Sequence, residues 1–313
     1  MSVETRQHFK VRIPMAGKAA YEALIVVDSG GGFEGLGEAP LLLGRDAAVA
    51  IRAAEETARL DLEARQAGIS LAELLGGVRR QQGECSALIS DPRADRVAAA
   101  VERAYAEGFR CFKLKAVNGG GMLDQVRVGA ARWAAGPQAR LRMDFNGSLG
   151  AAEAAVRLSS LAPFRLELLE QPLPAAATVA EWSELADRVH APLAADESLA
   201  TQGEELKRAG FGLAIKLATV GGPRAALELA QGASGPVTFG SSYETSIGLA
   251  AALHVACAVE REPLACGLAT IRMLDGDVAV GLRAGGPLLL LPDAPGLGVS
   301  LDRSALARYR IDS

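Results

Sequence analysis

Two lysines stand two residues apart at the end of a short apolar stretch, Cys111-Phe112-Lys113-Leu114-Lys115-Ala116. In an extended strand the side chains alternate between faces, so Lys113 and Lys115 point to the same side. Because two ammonium groups repel each other and burial disfavours the charged form, we expect the pKa of at least one lysine to fall. A lysine that is neutral near pH 7 can act as a base. The short stretch alone is also typical of two solvated lysines on an edge strand.

Three acids follow at the ends of the next three predicted strands, each one strand–helix unit after the last: Asp144, Glu170 and Asp196. A single acid at a strand end is more often a helix cap or an ion-pair partner. Three carboxylates at one height would repel one another unless a cation lay between them, and oxygen ligands suit Mg²⁺. The sequence therefore predicts a Mg²⁺ site on these three acids, with Mn²⁺ as a substitute.

A third lysine, Lys216, lies on the sixth predicted strand of this series. In an eight-stranded barrel the second and sixth strands are opposite each other, so Lys115 and Lys216 would face one another with the acids on the arc between them. This layout suits removal of a proton α to a carboxylate, where a metal stabilises the enediolate and a lysine takes the proton. The simpler interpretation of Lys216 is a helix-capping cation.

The elements that must position these residues begin near Cys85, where strands and helices start to alternate. Such alternation predicts a parallel sheet, and eight strands with seven clear helices favour a TIM-type (β/α)7β barrel in the α/β class. An open doubly wound sheet is the alternative, although no G-x-G-x-x-G follows the first strand. One acid, Glu167, falls on the outward face of the fourth strand, where we have no explanation for it. The predicted strands are Cys85–Ser90, Cys111–Ala116, Leu141–Asn146, Leu166–Gln171, Leu193–Ser198, Leu213–Ala218, Val237–Ser242 and Leu264–Leu268.

Residues 1–84 have a different pattern, which predicts a small α+β capping domain. Polar and apolar residues alternate in three strands of antiparallel style, and two amphipathic helices follow. The barrel is predicted over 85–275, and the segment 276–313 is expected to pack back on the capping domain. The predicted elements of the capping domain are strands His8–Ile13, Tyr21–Asp28 and Phe33–Glu38 and helices Arg45–Ala67 and Ser70–Leu75.

Composition excludes several functional classes. The 313 residues carry a formal charge of −4 and 4% aromatic residues, which offers no basic field or stacking platform for nucleic acid. No apolar run approaches the roughly 20 residues of a membrane span, and the N-terminus lacks the apolar core of a signal peptide. We therefore expect a cytoplasmic protein with a small-molecule carboxylate substrate and no nucleic-acid or membrane partner. The protein could also form a homo-oligomer, which the sequence does not decide.

These residues together resemble the lysine-pair subgroup of the enolase superfamily, which includes muconate cycloisomerases. The resemblance covers nearly the whole chain. It implies a capping domain, a (β/α)7β barrel, Mg²⁺ on the three acids, catalytic roles for the three lysines, and supporting roles for Asn146 and Glu197. The motifs that carry it are Lys113-x-Lys115, Asp144-x-Asn146, Glu170-Gln171-Pro172, Asp196-Glu197-Ser198 and Lys216.

Within the superfamily, the end of the predicted barrel resembles the o-succinylbenzoate synthase family. Dipeptide epimerases typically carry Asp-x-Asp at the eighth strand, whereas Cys266-Gly267-Leu268 contains no acid here. Because a buried ammonium group needs a partner, this absence argues against an amine substrate. Ser241 and Ser242 precede a predicted helix, and we expect them to bind a remote carboxylate through backbone N–H groups. An ordinary helix N-cap explains them equally well. The similar segments are 240–249, 265–270 and 292–298.

The resemblance implies syn-dehydration of 2-succinyl-6-hydroxy-2,4-cyclohexadiene-1-carboxylate to o-succinylbenzoate in menaquinone biosynthesis. Lys115 would take the α-proton and then protonate the departing hydroxide, Lys113 would lower the pKa of Lys115, and Lys216 would stabilise the enediolate. The second hypothesis is an N-acylamino acid racemase or dipeptide epimerase with the same site. A Schiff-base aldolase, with Lys113 or Lys216 as nucleophile, and a non-catalytic binding protein also stay open.

Overall fold

A computed structural model describes residues 3–41, 46–117 and 120–311 of the chain. These residues form two compact units, which we call the first unit and the second unit. The chain passes from the first to the second after Glu84 and returns at Ile215. The first unit comprises Met1–Glu84, Ile215–Gln231 and Phe239–Ser313, and the second comprises Cys85–Ala214 and Gly232–Thr238.

An antiparallel sheet of three strands and a long helix open the first unit. Strands β2 (Tyr21–Gly30) and β3 (Phe33–Pro40) are joined by Gly31 and Gly32, with φ of 58° and 81°. A two-residue hairpin with positive φ at both central positions suits two glycines, because neither has a Cβ to clash. The remaining elements of this part are β1 (Thr5–Ile13), α1 (Ala47–Ala67), α2 (Leu71–Leu74) and β4 (Gln82–Glu84).

Strands and helices alternate from Ala87 onward. The seven strands β5 to β11 lie side by side in chain order, and every register from β5 to β10 is parallel. Their bounds are β5 Ala87–Ile89, β6 Cys111–Lys115, β7 Arg140–Asp144, β8 Leu168–Glu170, β9 Leu193–Ala195, β10 Gly212–Ile215 and β11 Val237–Phe239. The helices between them are α3 Ala94–Ala106, α4 Gly121–Ala135, α5 Ala151–Ser159, α6 Val179–Ala186, α7 Leu199–Arg208, α8 Leu217–Val220 and α9 Pro223–Ala230, with a 3₁₀-helix at Ala162–Phe164.

The predicted eighth strand, Leu264–Leu268, is reduced to isolated pairings within the first unit. Gly267 forms a parallel bridge with Gly240, and the Cys266 N–H donates to the Glu84 carbonyl at 2.6 Å. The rest of the chain contains α10 (Ser246–Ala258), a 3₁₀-helix at Ala269–Met273, β12 (Ala279–Val280), β13 (Leu288–Leu290), β14 (Ser300–Leu301) and α11 (Arg303–Tyr309).

The C-terminal segment pairs with the N-terminal part of the first unit. Strand β13 runs antiparallel to β4, and Val11 forms a bridge with Arg310. The compact units differ from the three-part division expected from the sequence, since Ile215–Gln231 and the chain after Phe239 belong to the first unit. The division into 1–84, 85–275 and 276–313 therefore stays a prediction.

The α/β class with a parallel sheet and an α+β N-terminal domain is confirmed. Helix α1 begins at Ala47 behind an Asp46 cap whose carboxylate accepts from two N–H groups of the first turn. The predicted helix start at Arg45 lies outside the described residues. In the described part of the chain, no helix combines the length and the apolar character that crossing a membrane requires.

Candidate active site

Three buried carboxylates from consecutive strands meet in the second unit. Asp144 and Glu170 are register partners in the β7–β8 pair, and Asp196 follows the end of β9 by one residue. One oxygen from each of Asp144, Glu170 and Asp196 lies within 4.8 Å of the others. The carboxyl ends of neighbouring parallel strands meet at one edge of a sheet, which explains why residues so far apart in sequence converge. We call these three acids the carboxylate triad.

Both lysines of strand β6 reach the carboxylate triad. The Lys113 Nζ donates to Glu170 Oε1 at 2.6 Å and lies 2.9 Å from Asp144 Oδ2. The Lys115 Nζ donates to the same Asp144 oxygen at 2.6 Å and to Asn146 Oδ1 at 2.8 Å. The alternation of the strand therefore brings the two ammonium groups to one face, where both contact a single carboxylate.

The protonation of Lys113 depends on the acids that face it. Burial lowers its pKa, but the carboxylates of Asp144, Glu170 and Asp196 outweigh burial and raise the pKa of Lys113 above its ordinary value. The three facing acids stabilise the ammonium form of Lys113. The sequence-based expectation was a lowered pKa for at least one of the two lysines, with Lys113 as the neighbouring cation of Lys115, and it stays a prediction.

Of the two residues expected to support the site, Asn146 contacts Lys115 and Glu197 contacts Asn146. The Asn146 side chain accepts from Lys115, and its Nδ2 donates to Glu197 Oε1 at 3.2 Å. Asn146 has a φ of 46°, and its own N–H donates to Asp144 Oδ1 at 3.0 Å. Asn tolerates positive φ better than most residues, so the turn after β7 holds both a metal-ligand candidate and a lysine partner.

Gln171 is a further residue of the site, to which the sequence assigned no role. Its side-chain Oε1 accepts from the Asp196 N–H at 2.8 Å and the Ser198 N–H at 3.2 Å, while Nε2 donates to Ser198 Oγ at 2.8 Å. Gln171 is fully buried and has a φ of 40°. It therefore ties the turn that carries Asp196 to the end of β8. A signal was present, because a polar residue directly follows a strand-end acid.

Glu167 now has an explanation. Strand β8 begins at Leu168, so Glu167 precedes the strand and does not obey its alternation. Its Oε2 accepts from the buried Arg142 Nε at 2.6 Å. Burial lowers the pKa of Arg142, but its acidic neighbours outweigh burial and raise it, so the guanidinium stays charged. Glu167 thus balances the charge of Arg142 inside the second unit.

Lys216 lies in the first unit and directly follows β10. It is 7% exposed and is the N-cap residue of α8, without a side-chain cap hydrogen bond. A Cβ on Gly240 would lie 3.3 Å from Lys216 Cε, so the glycine leaves room for the lysine side chain against the backbone. The expectation that Lys216 faces Lys115 stays a prediction.

The two serines expected to bind substrate lie in the loop after β11, within the first unit. The Ser241 and Thr270 hydroxyls are 2.5 Å apart. The Ser242 N–H donates to Glu244 Oε2 at 2.5 Å. The buried Ser242 hydroxyl has no hydrogen-bond partner among the described residues. One serine hydroxyl is therefore engaged and the other is free to meet a ligand.

A buried glutamate from β3, Glu38, occupies the start of helix α10. Its carboxylate accepts from the Thr245 N–H at 2.9 Å, the Thr245 hydroxyl at 2.7 Å, the Gly248 N–H at 2.9 Å and the Tyr21 hydroxyl at 2.8 Å. Burial raises the pKa of Glu38 to about 7, and the nearby Glu244 carboxylate adds to the increase against these donors. We call Glu38 and Glu244 the carboxylate pair.

The carboxylate triad fits a divalent cation. Its oxygens are the ligands that hard divalent ions prefer, and they face one another in a buried setting. Three carboxylates carry three negative charges, whereas Lys113 and Lys115 supply two positive charges. A divalent cation with one lysine neutral would bring this set to zero net charge, so the residues present suit the ion.

The structure is thus an α/β protein in which strands of a parallel sheet end in acids, beside a lysine pair, and these acids are compatible with a divalent cation. The family described as "Enolase C-terminal domain-like" matches residues 96–305, and the chain belongs to this family. The resemblance to the enolase superfamily expected from the motifs is confirmed.

Curated relatives share one name. The chain is 43% identical over 159 residues to a protein of Thermobifida fusca named o-succinylbenzoate synthase, which covers 50% of the chain and 49% of that protein. It is 36% identical over 209 residues to a Mycobacterium tuberculosis protein of the same name, which covers 64% of the chain and 62% of that protein. The matched part of the chain thus spans about half to three-fifths of these relatives. The resemblance to o-succinylbenzoate synthases is confirmed at this level.

Solved structures support the fold over the full length. The muconate lactonizing enzyme of Pseudomonas putida matches with a TM-score of 0.91 at 23% identity, covering 99% of the chain and 100% of that protein. The muconate lactonizing enzyme of Klebsiella pneumoniae matches with a TM-score of 0.90 at 24% identity, covering 100% of both. At these identities the similarity shows the fold alone.

Proposed function

We propose that the protein is a Mg²⁺-dependent lyase that dehydrates 2-succinyl-6-hydroxy-2,4-cyclohexadiene-1-carboxylate to o-succinylbenzoate in menaquinone biosynthesis. The observation that carries the proposal is the contact of Lys115 with Asp144 in a chain whose relatives are named o-succinylbenzoate synthase. It joins a candidate base to a candidate metal ligand. Action in the cytoplasm on a small carboxylate, as a monomer or homo-oligomer, belongs to the same proposal.

Asp144, Glu170 and Asp196 would hold the cation. When bound, Mg²⁺ would stabilise the negative charge that develops on the substrate carboxylate as the neighbouring carbon loses its proton. Mn²⁺ has similar oxygen preferences and would substitute.

The proton follows a short path. The Lys115 amine takes the proton from the carbon next to the carboxylate and becomes an ammonium group. The electron pair of the broken C–H bond forms the new double bond as the C–O bond breaks, and Lys115 returns its proton to the departing hydroxide, which leaves as water. Asn146 Oδ1 holds the Lys115 Nζ at 2.8 Å and would orient the amine for both steps.

The remaining residues have supporting roles in this proposal. Lys113 stays charged among the acids and would act on the neighbouring Lys115 amine through this charge. Lys216 would stabilise the negative charge of the substrate after proton removal. Ser241 and Ser242 would contact the far end of the substrate, and Glu197 would hold Asn146 in place.

The second candidate is racemisation of N-acylamino acids or epimerisation of dipeptides. The relatives do not favour it, and the segment 266–268 contains no acid for an ammonium group. A racemase needs a proton carrier on both faces of the substrate, whereas a dehydratase needs one.

Metal removal tests the proposal. We expect the purified protein to form o-succinylbenzoate with Mg²⁺, to lose this activity after EDTA treatment and dialysis, and to recover it with Mg²⁺ or Mn²⁺. Ultraviolet absorbance of the aromatic product measures the rate. Full activity in protein shown by elemental analysis to be metal-free would contradict the metal site, and no activity with Mg²⁺ would contradict the substrate.

A further inference from the structure

The second unit contains a cleft of about 220 Å³ whose lining includes no member of the carboxylate triad. The cleft lies between the end of α5, the 3₁₀-helix that follows and the segments that lead into β8 and β9. All of its lining residues fall within Cys85–Ala214, so it belongs to the second unit alone. We call it the leucine cleft. Six of its lining residues are Leu158, Leu161, Leu166, Leu169, Arg165 and His190.

The leucine cleft and the triad use opposite faces of strand β8. Leu169 and Glu170 are consecutive in this strand, and consecutive side chains of a strand point to opposite faces of the sheet. Glu170 contacts Lys113 and lies with the other acids, whereas Leu169 lines the cleft. A ligand in the cleft would therefore be separate from the triad.

The wall of the leucine cleft is apolar. Its four leucines are buried, since none of them is more than 8% exposed. An engineered protein cavity of about 150 Å³ lined by such residues binds benzene, whereas sites for drug-sized ligands begin at about 300 Å³. The volume of the leucine cleft lies between these values. It therefore suits an apolar body the size of one ring with a small group attached.

Two side chains at the leucine cleft carry hydrogen-bond donors that the protein does not use. Arg165 and His190 are both exposed. Among the described residues, neither the Arg165 guanidinium nor the His190 imidazole has an acid or another hydrogen-bond acceptor as a partner. An arginine binds a carboxylate through two parallel hydrogen bonds, and a histidine N–H can donate in either protonation state. The cleft therefore places an unpaired positive charge beside an apolar wall.

The backbone of Arg165 is fixed in an uncommon conformation. Its φ of 49° and ψ of 62° lie in the left-handed region, which residues with a side chain rarely adopt. The Arg165 N–H donates to the Ala162 carbonyl at 3.1 Å. Its carbonyl accepts from Arg132 Nη2 at 3.3 Å, and the same nitrogen donates to the Phe164 carbonyl at 2.9 Å. Such strained positions cluster at ligand sites, so this one supports a binding role for Arg165.

We propose that the leucine cleft binds a small carboxylate with an apolar body of ring size. The body packs against the four leucines, the Arg165 guanidinium binds the carboxylate, and the His190 N–H donates a further hydrogen bond. A neutral ring would leave the Arg165 charge unpaired, and an anion without an apolar body would leave the leucines uncovered. The site therefore selects ligands that have both features.

Three probes that differ in one feature test the leucine cleft. Benzoate has the ring and the carboxylate, benzamide replaces the charge by a neutral amide, and acetate lacks the ring. NMR titrations with EDTA present, so that no metal occupies the triad, give the dissociation constants. The variants are Arg165→Met, Arg165→Lys and Ala162→Met, since Ala162 also lines the cleft. Arg188→Met is the matched control, because Arg188 is an exposed arginine outside the lining.

We expect the wild type and Arg188→Met to bind benzoate about tenfold or more tightly than benzamide or acetate. Arg165→Met should weaken benzoate binding by about tenfold, to the level of benzamide. Arg165→Lys should retain part of the preference, because it keeps the charge but not the paired donors. Ala162→Met should weaken the binding of both ring probes, because the longer side chain fills the cleft. Thermal unfolding checks that each variant is folded.

Benzoate also suits the lysine pair, so Lys115→Ala separates the two sites. Unchanged benzoate affinity in Lys115→Ala, with weakened affinity in Arg165→Met, supports the leucine cleft. The reverse result would place benzoate at the triad and overturn the proposal. No benzoate binding by the wild type, equal binding of benzoate and benzamide, or unchanged affinity in both Arg165→Met and Ala162→Met would also overturn it. Every measurement is of binding, so the outcome is independent of the proposed dehydration.

Discussion

The carboxylate triad and the carboxylate pair are both buried groups of acids, yet their partners differ in kind. Asp144 and Glu170 face lysine ammonium groups on long side chains. Glu38 faces two backbone N–H groups and two hydroxyls at a helix start. A lysine can give up its proton or move aside for a cation, whereas helix N–H groups keep their protons and positions.

This difference in partners suits the two groups of acids to different roles, one catalytic and one structural. Acids balanced by lysines can exchange partners when a metal or substrate binds, which suits the triad for catalysis. Acids balanced by fixed donors hold two segments together, which suits Glu38, from β3, for fixing the start of α10. The burial of an acid alone does not show which of the two roles it has.

Among the variants that test this comparison, Lys115→Ala should have the largest effect, a loss of dehydration activity. It removes the candidate base from the triad, so dehydration should fall by about 10³-fold or more. Exchange of the substrate's α-proton with deuterated solvent, followed by NMR, should be lost as well. Thermal unfolding should show an intact fold, and Lys10→Ala should retain activity. Residual activity within tenfold of the wild type would remove Lys115 from its assigned role.

A smaller effect concerns the carboxylate pair, where Glu38 should make the stability of the fold depend on pH. The pKa of Glu38 is about 7 in the fold against an ordinary 4.5, so between these values the folded state binds the proton that the unfolded state releases. Glu38 therefore favours folding below about pH 4.5, and this contribution is lost as the pH rises to about 7. The loss is about 3 kcal/mol by the size of the shift.

Urea unfolding of the wild type and Glu38→Gln at several pH values between 4.5 and 8 measures this contribution. The wild type should lose stability relative to Glu38→Gln as the pH rises through this range, because glutamine cannot titrate. Tyr21 and Glu244 face Glu38 and are unchanged in the variant. Parallel pH profiles for the two proteins would show that Glu38 does not hold a raised pKa.

The sequence predicted the triad because its signal is local. A strand period of two and a regular strand–helix interval place Asp144, Glu170 and Asp196 at strand ends, and the structure brings these residues together. The same period misplaced Glu167, since the predicted strand began at Leu166 and the actual strand begins at Leu168. Because the predicted strand began two residues too early, Glu167 was placed inside the strand and its role as the charge partner of Arg142 was not recognised.

The contacts of the first unit could not be predicted in this way. Glu38 meets Thr245 and Lys18 meets Tyr243 across more than 200 residues of chain. No period or spacing rule relates a strand or loop of the N-terminal part, such as those of Glu38 and Lys18, to the segment before a helix so far along the chain. The raised pKa of Lys113 likewise depends on acids from three other strands or their ends.

Mn²⁺ binding to the wild type, Glu170→Gln and Glu38→Gln, followed by electron paramagnetic resonance, tests most directly whether the triad holds the cation. Each variant replaces a buried carboxyl group by an amide with little change in volume. We expect one Mn²⁺ per wild-type chain, affinity weakened by about 100-fold or more in Glu170→Gln, and wild-type affinity in Glu38→Gln. Wild-type affinity in Glu170→Gln, with the fold intact, would contradict the account.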